Sequence, residues 1–363
     1  MKVAFITPMK PPTSPVPSGD RTFARLLGAA LGHGGHSVSL PSTFSTRCAA
    51  PEDFAAIAEA ARAETAAVLA ALAAEGAPDA VLTYHNYHKA PDLLGPAIAA
   101  RFAIPYAIVE ASRAPRRAAG PWAAPFAAAD AALAAADALG AVTRRDRPAL
   151  TAFAPERVVD FPPFIDTAPF AAAPHDGGGR HIVCAAMMRE GRKADSLAVL
   201  AEAVAIARRS LPDLRVTVAG DGPARAALTP LFPPGALVGR LGQPALADLF
   251  AGGDLFVWPA IDEPFGFTFL EAQAAGLPVV GGAAPGVRDV VDEGGSACLV
   301  AERDAAAHAD AIVRVLGDPA RRAQMAAAAR AFAASRDLAA GSRRLDALLA
   351  FAADRRAARA GGA

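Results

Sequence analysis

Cysteine is scarce, and its placement excludes two common ways of holding a small fold together. The chain has three cysteines, Cys48, Cys184 and Cys298, an odd number far apart in sequence and with no CxxC pair. A disulfide framework and a cysteine-based zinc site are therefore not expected, and a reducing compartment is. Net charge is also missing: 36 basic residues balance 36 acidic ones, so there is no basic footprint of the kind a nucleic-acid binder carries. Long apolar runs are absent as well. No stretch of about 18 uncharged apolar residues exists to span a bilayer. The opening Met1-Lys-Val-Ala-Phe-Ile reads as a strand, because Pro8, Pro11 and Pro12 cut it too short for a signal peptide.

What remains is a chain of 363 residues with a hydrophobic share of 53%, enough to fill two cores. Short apolar runs alternate with alanine-rich helical stretches. Val3–Thr7, Ser37–Leu40, Ala80–Tyr84, Tyr106–Val109 and Ala138–Thr143 read as strands, with helices at Thr22–Leu31 and over residues 52–75. Residues 160–180 are turn-rich and read as a linker. The same grammar then restarts with strands at His181–Ala186, Leu214–Ala219, Ala236–Val238, Leu255–Pro259, Pro278–Gly281 and Cys298–Val300. Alternating strands and helices predict parallel, doubly wound sheets. The expected class is α/β with two Rossmann-like domains facing a cleft, since ligands sit outside the carboxyl ends of such strands. The expected boundaries are 1–165 and 166–336, with a final helix at 337–358 packing back on the first domain. Cys184 and Cys298, in strand-like runs, are expected in the core.

The densest chemistry lies in Glu263-Pro-Phe-Gly-Phe-Thr-Phe-Leu-Glu271. A turn over Pro264–Phe267 would present backbone N–H groups at a helix start, favourable for anions and sugar oxygens, and Gly266 would let the backbone come close. Glu271 could accept both hydroxyls of a ribose, or be a helix acid favoured by the macrodipole; spacing alone does not separate the two. Arg113-Ala-Pro-Arg116-Arg117 and Pro121-Trp122 form a short basic and aromatic loop, suited to an anionic acceptor, a membrane surface, or solvent alone.

The stretch Glu263–Glu271 resembles the EPFG…E signature of glycosyltransferase family 4, retaining enzymes of the GT-B fold. Ordered likenesses surround it over about residues 181–300. They are Val218-Ala-Gly220-Asp-Gly222-Pro, Leu237-Val-Gly239-Arg240, Ala251-Gly-Gly-Asp254-Leu-Phe-Val-Trp-Pro, Glu271-Ala-Gln-Ala-Ala-Gly276-Leu-Pro-Val-Val and Pro285-Gly286-Val-Arg-Asp-Val-Val. The resemblance implies that Glu263 contacts the transferred sugar and that Glu271 binds the ribose. It further implies that the amides of Phe265, Gly266 and Phe267 hold sugar and phosphate oxygens, and that Gly239 and Arg240 lie near the base. It places diphosphate neutralisation on Arg189 and Lys193, with Arg192 as a substitute, although Met187 stands near where the family has an arginine.

In the first half the resemblance is only in outline. Gly19, in Pro17-Ser18-Gly19-Asp20-Arg21, stands for the family's Gly-Gly loop near the donor. Arg21, His85 and His88 are read as acceptor-binding, and Glu110 takes the place where many relatives carry a histidine. The implied activity is metal- and cofactor-free transfer of a sugar, with retention, from a nucleotide-diphosphate-sugar donor to a glycan, lipid or small-molecule acceptor, as in polysaccharide biosynthesis. A nucleotide-sugar binding protein or epimerase of the same fold is the alternative. The expected location is cytoplasmic, with peripheral contact at the inner membrane face as an option.

Overall fold

The computed structural model describes residues 1–171 and 179–361. Most of the glycine-rich run read as linker lies outside these residues. The described chain divides into two compact units, one of residues 1–164 with the final helix from residue 338, the other within residues 165–337.

The first unit is built on a six-stranded sheet. Its strands are β1 (Lys2–Ile6), β2 (Ser37–Ser39), β3 (Ala80–Asn86), β4 (Tyr106–Ala111), β5 (Ala138–Ala141) and β6 (Val158–Asp160). They are ordered β2-β1-β3-β4-β5-β6, and every pairing is parallel. The central runs of β1, β3, β4 and β5 are apolar, as suits strands covered on both faces, and almost nothing of Val3, Val81, Ile108 or Leu139 is exposed. The last helix, Leu338–Gly361, belongs to this unit. It packs along the helix Gly19–His33 and over β4 and β5, burying Leu345, Leu348, Leu349 and Ala352.

Two expectations are corrected here. β6 was not foreseen: at three residues it is too short for its alternation to stand out. The start of the supposed linker is core. Phe161 and Phe164 are fully buried, with Phe164 edge-on to Phe23 at 5.5 Å. Prolines at 162 and 163 made this stretch look like a turn, yet its rings carry the burial.

The second unit repeats the architecture with a different winding. Its strands are β7 (His181–Ala185), β8 (Arg215–Ala219), β9 (Leu237–Gly239), β10 (Leu255–Trp258), β11 (Val279–Gly282) and β12 (Ala297–Val300). The order is β12-β11-β10-β7-β8-β9, all parallel. This is the dinucleotide-fold order, whereas the first unit follows the flavodoxin-like order. Cys184 is buried in β7, but Cys298 is only half-buried. β12 is an edge strand, so one flank of it stays open. No helix among the described residues is long and apolar enough to cross a membrane.

Candidate active site

In a parallel sheet the loops at the carboxyl ends part toward opposite faces where the strand order reverses, and there a crevice opens. In the second unit that point lies between β7 and β10. The loop after β7 carries Arg189 and leads into the helix Arg192–Ala207; the loop after β10 carries Glu263. The ammonium of Lys193, in the first turn of that helix, is ion-paired with Glu263 Oε2. It also lies 5.2 Å from the ring centre of the buried Trp258. Trp258 Nε1 donates to the same carboxylate oxygen at 3.2 Å. Glu263 is therefore held from two sides through one oxygen. The indole had been read only as a strand residue; its contact with Lys193 gave no sequence signal.

The loop from Pro259 to Gly266 is tightly specified. Ala260 and Asp262 both have positive φ, a left-handed conformation that costs a non-glycine residue about 1 kcal/mol or more. Two latches hold it: the Ile261 amide donates to Ser196 Oγ at 3.0 Å, and the Asp262 amide to Glu302 Oε2 at 2.7 Å. Gly266 caps the helix Phe267–Ala274 at φ +80°, and a Cβ there would also press on Glu263 and Phe269 at 3.2 Å. Phe265 and Phe267 flank it with their rings edge to face at 4.9 Å. The buried Gln273 fastens the helix, donating to the carbonyls of Phe269 and Val290 and accepting from Ser296 Oγ.

Glu271 sits on this helix with no hydrogen-bond or ion-pair partner among the described residues. Burial alone raises its carboxyl pKa to about 7. Its desolvation is offset by no neighbouring charge or hydrogen bond among the described residues. Arg189 is exposed and unpaired among the described residues, and the Arg192 guanidinium reaches Asp262, its carbonyl at 3.4 Å and its carboxylate at 3.9 Å. Gly239 and the exposed Arg240 lie at the end of β9, on the sheet edge. Three strand spacings, about 14 Å, separate them from the end of β10.

In the first unit the reversal falls between β1 and β3. Asp20, the second residue of the helix Gly19–His33, meets His85 at the end of β3: Nδ1 lies 3.1 Å from Asp20 Oδ1 and 3.8 Å from Glu110 Oε1. The ladder pairs Tyr84 with Val109 and Asn86 with Ala111, so His85 and Glu110 stand side by side on neighbouring strands. Both have positive φ, 69° and 58°. Burial lowers the basicity of His85, but Glu110 and Asp20 outweigh it and leave its pKa raised. Burial also raises that of Glu110, which His85 only partly offsets. For Asp20 burial acts upward, yet the His85 hydrogen bond and charge prevail and its pKa is lowered. Glu110 Oε2 is buried and makes no hydrogen bond. Glu110 does not pair with Arg113, whose guanidinium grips Asp130 at 2.7 Å. Asp20 gives no sequence signal of its own, because an acid in a first helical turn usually serves the macrodipole.

Gly19 is exposed, and a Cβ there would touch nothing. Arg21 is turned to its own loop, donating to the carbonyls of Ser14 and Pro15 at 3.0 and 3.3 Å. His88 lies further out, edge-on to Trp122 at 5.4 Å.

The family described as glycosyl transferases group 1 matches residues 179–318, which hold every second-unit residue named above. A GDP-mannose-dependent alpha-mannosyltransferase of Corynebacterium glutamicum is 35% identical over 117 residues, 32% of this chain and 28% of that protein. A D-inositol 3-phosphate glycosyltransferase of Thermobispora bispora is 33% identical over 201 residues, 48% and 46% of the two chains. The chain thus spans less than half the length of these curated relatives. Likeness of fold runs through almost all of it. A sucrose-phosphate synthase from Thermosynechococcus elongatus superposes with a TM-score of 0.70 at 19% identity, covering 96% of this chain and 98% of that one. Anabaena HepE in complex with UDP and glucose gives 0.67 at 18%, with 96% and 99% covered. The fold is that of GT-B glycosyltransferases: two Rossmann-like parallel sheets.

Proposed function

We propose that the chain is a retaining glycosyltransferase that takes its sugar from a nucleoside diphosphate donor held by the second unit. The observation that carries this reading is the unpartnered, half-buried Glu271 on a helix that starts at the strand-order reversal. A largely desolvated carboxylate without a partner suits a ligand that brings two hydroxyls to it, as a ribose does. The nucleotide then lies along the strand ends from Gly239 and Arg240 toward β7, a span a nucleotide-sugar can cover.

The chemistry follows from the neighbours. As the bond from the sugar to the diphosphate breaks, negative charge grows on the leaving phosphate. Arg189 and Lys193, with Arg192 beside them, are the cations that answer it, so no metal or cofactor is required. The amides of Phe265, Gly266 and Phe267 add the field of a helix N-terminus. Glu263, fixed through Oε2, keeps Oε1 for a sugar hydroxyl and offsets positive charge at the anomeric carbon. The acceptor hydroxyl attacks on the face the diphosphate leaves, and a leaving phosphate oxygen takes its proton. In this reading His85, with Asp20 and Glu110, would hold that acceptor.

Incubation with a panel of nucleotide-sugars tests the reading, with NMR of the released or transferred sugar. Hydrolysis or transfer with the anomeric configuration of the donor is expected. Binding without turnover would mark a sugar-nucleotide binding protein, an inverted product would refute the front-side mechanism, and absence of any binding would refute the donor site.

A further inference from the structure

On the transferase reading, we infer that Trp258 is a positioning residue for the transfer step: its indole N–H holds Glu263 in place when the donor diphosphate draws Lys193 away.

Among the described residues two side chains bond the Glu263 carboxylate, and both use Oε2. They differ in how firmly they are set. Trp258 closes β10 with 1% of its surface exposed, so its ring is fixed by packing. Lys193 stands in the first turn of its helix with 30% of its side chain exposed, against 10% for Glu263. An ammonium on a flexible stem can swing toward a ligand, and a packed bicyclic ring cannot.

The loop after β10 is shaped to make the indole contact. Glu263 follows Trp258 by five residues, and the chain must double back to bring the two side chains together. It does so through left-handed Ala260 and Asp262, in a turn closed by the Glu263 amide on the Ala260 carbonyl at 3.1 Å. A buried indole N–H needs an acceptor. Here the acceptor is a carboxylate, which makes the bond charge-assisted. A phenyl ring at this position would fill the strand end and leave Glu263 to Lys193 alone.

Lys193 does not serve both partners at once. It is a single point charge, engaged by Glu263 and, at 5.2 Å, by the face of the Trp258 ring. As the leaving diphosphate gathers negative charge, it competes with Glu263 for that ammonium. Arg192 does not take over at Glu263, because its guanidinium is turned to Asp262. The indole is then the one donor left to the carboxylate while Oε1 meets the sugar. A carboxylate with no donor would turn about its terminal torsions and lose that contact. Trp258 therefore matters most as the bond breaks and least when the nucleotide first binds, which separates kcat from KM.

Donor hydrolysis by the full chain, with a panel of nucleotide-sugars that includes UDP-glucose and GDP-mannose, measures that separation. Trp258→Phe keeps a ring beside Lys193 and loses the N–H. It is expected to lower kcat about tenfold or more, with KM and nucleotide affinity within about twofold of the wild type. On a Glu263→Ala background the same change is expected to cost nothing further, because the indole acts through the carboxylate. The benzothienyl analogue of tryptophan, placed at 258, keeps the bicyclic shape without the N–H. It is expected to reproduce the loss at an unchanged unfolding temperature, and it stands in if Trp258→Phe does not fold. A second measurement leaves position 258 untouched. The chain has two tryptophans, so Trp122→Phe isolates the fluorescence of Trp258. That emission is expected to change saturably with UDP, GDP or pyrophosphate as Lys193 leaves the ring, and Lys193→Met is expected to show the liganded emission beforehand. An unchanged kcat in the analogue, a loss that persists in full on the Glu263→Ala background, or an emission blind to a ligand that calorimetry shows to be bound overturns the inference. A wild type that neither binds nor hydrolyses any nucleotide-sugar refutes the transferase reading itself, and this inference with it. A wild type that turns over, with Trp258→Phe unaltered, refutes the role of Trp258 alone.

Discussion

At the scale of single residues, Glu271 carries the most checkable chemistry. Burial lifts its pKa from 4.5 to about 7, so the folded state binds its proton more tightly than the unfolded chain. Its contribution to stability is therefore greatest in acid, falls as pH rises from the unfolded value toward the folded one, and levels off above it. Ribose hydroxyls donate to the ionised form. Nucleotide affinity is thus expected to rise between about pH 5.5 and 7 and then flatten, with proton release on binding in the lower part of that range. Glu271→Gln is expected to abolish this slope and Glu271→Ala to cost about 1–3 kcal/mol of nucleotide binding. Titration calorimetry across that range, in buffers of different ionisation enthalpy, gives both numbers, and a flat wild-type profile would contradict the assignment. The carboxylates at 263 and 271 were legible in the sequence because a dense, ordered motif surrounds them. Asp20 and Trp258 were not, since what makes them matter is one contact each across a strand-order reversal.

At the scale of elements, positive φ at non-glycine residues separates the two candidate sites from the rest of the backbone. Of the five such residues described, Ala103 ends a helix; the other four, His85, Glu110, Ala260 and Asp262, stand at or just past strand ends beside candidate site groups. Strain of this kind persists only where the surroundings over-determine it, and the latches from Ser196 and Glu302 do so for the second unit. The long strands and helices could be read from apolar periodicity alone. The short β6, and the burial of Phe161 and Phe164 behind a proline pair, could not, because three residues carry no period and a buried ring looks the same in sequence as an exposed one. The helix Leu338–Gly361 supplies a further test. Leu345 has no exposed surface, so Leu345→Ala is expected to cost about 2–5 kcal/mol. Chemical denaturation should locate this loss in the first unit, with nucleotide affinity of the folded protein unaltered.

At the scale of the whole molecule, a ligand proposed for one of two compact units gives a readout through stability. Any ligand that binds only the folded form raises the unfolding temperature by mass action. A saturating donor nucleotide is expected to stabilise the wild type and to do so far less in Glu271→Ala. Differential scanning calorimetry measures the shift, and an unfolding temperature already lowered in the ligand-free variant would show that the substitution had damaged the fold instead of the site.

The return of the last helix to the first unit also has a consequence for how the protein is made. Its 24 residues leave the ribosome after the whole second unit has been synthesised. The second unit, continuous in sequence, has its entire core available while translation continues. The first has its sheet early, but the apolar flank of β4, β5 and the helix Gly19–His33 stays uncovered until Leu345, Leu348 and Leu349 arrive. During that interval the first unit presents an adhesive surface, and it is the part of the nascent chain on which a chaperone would act.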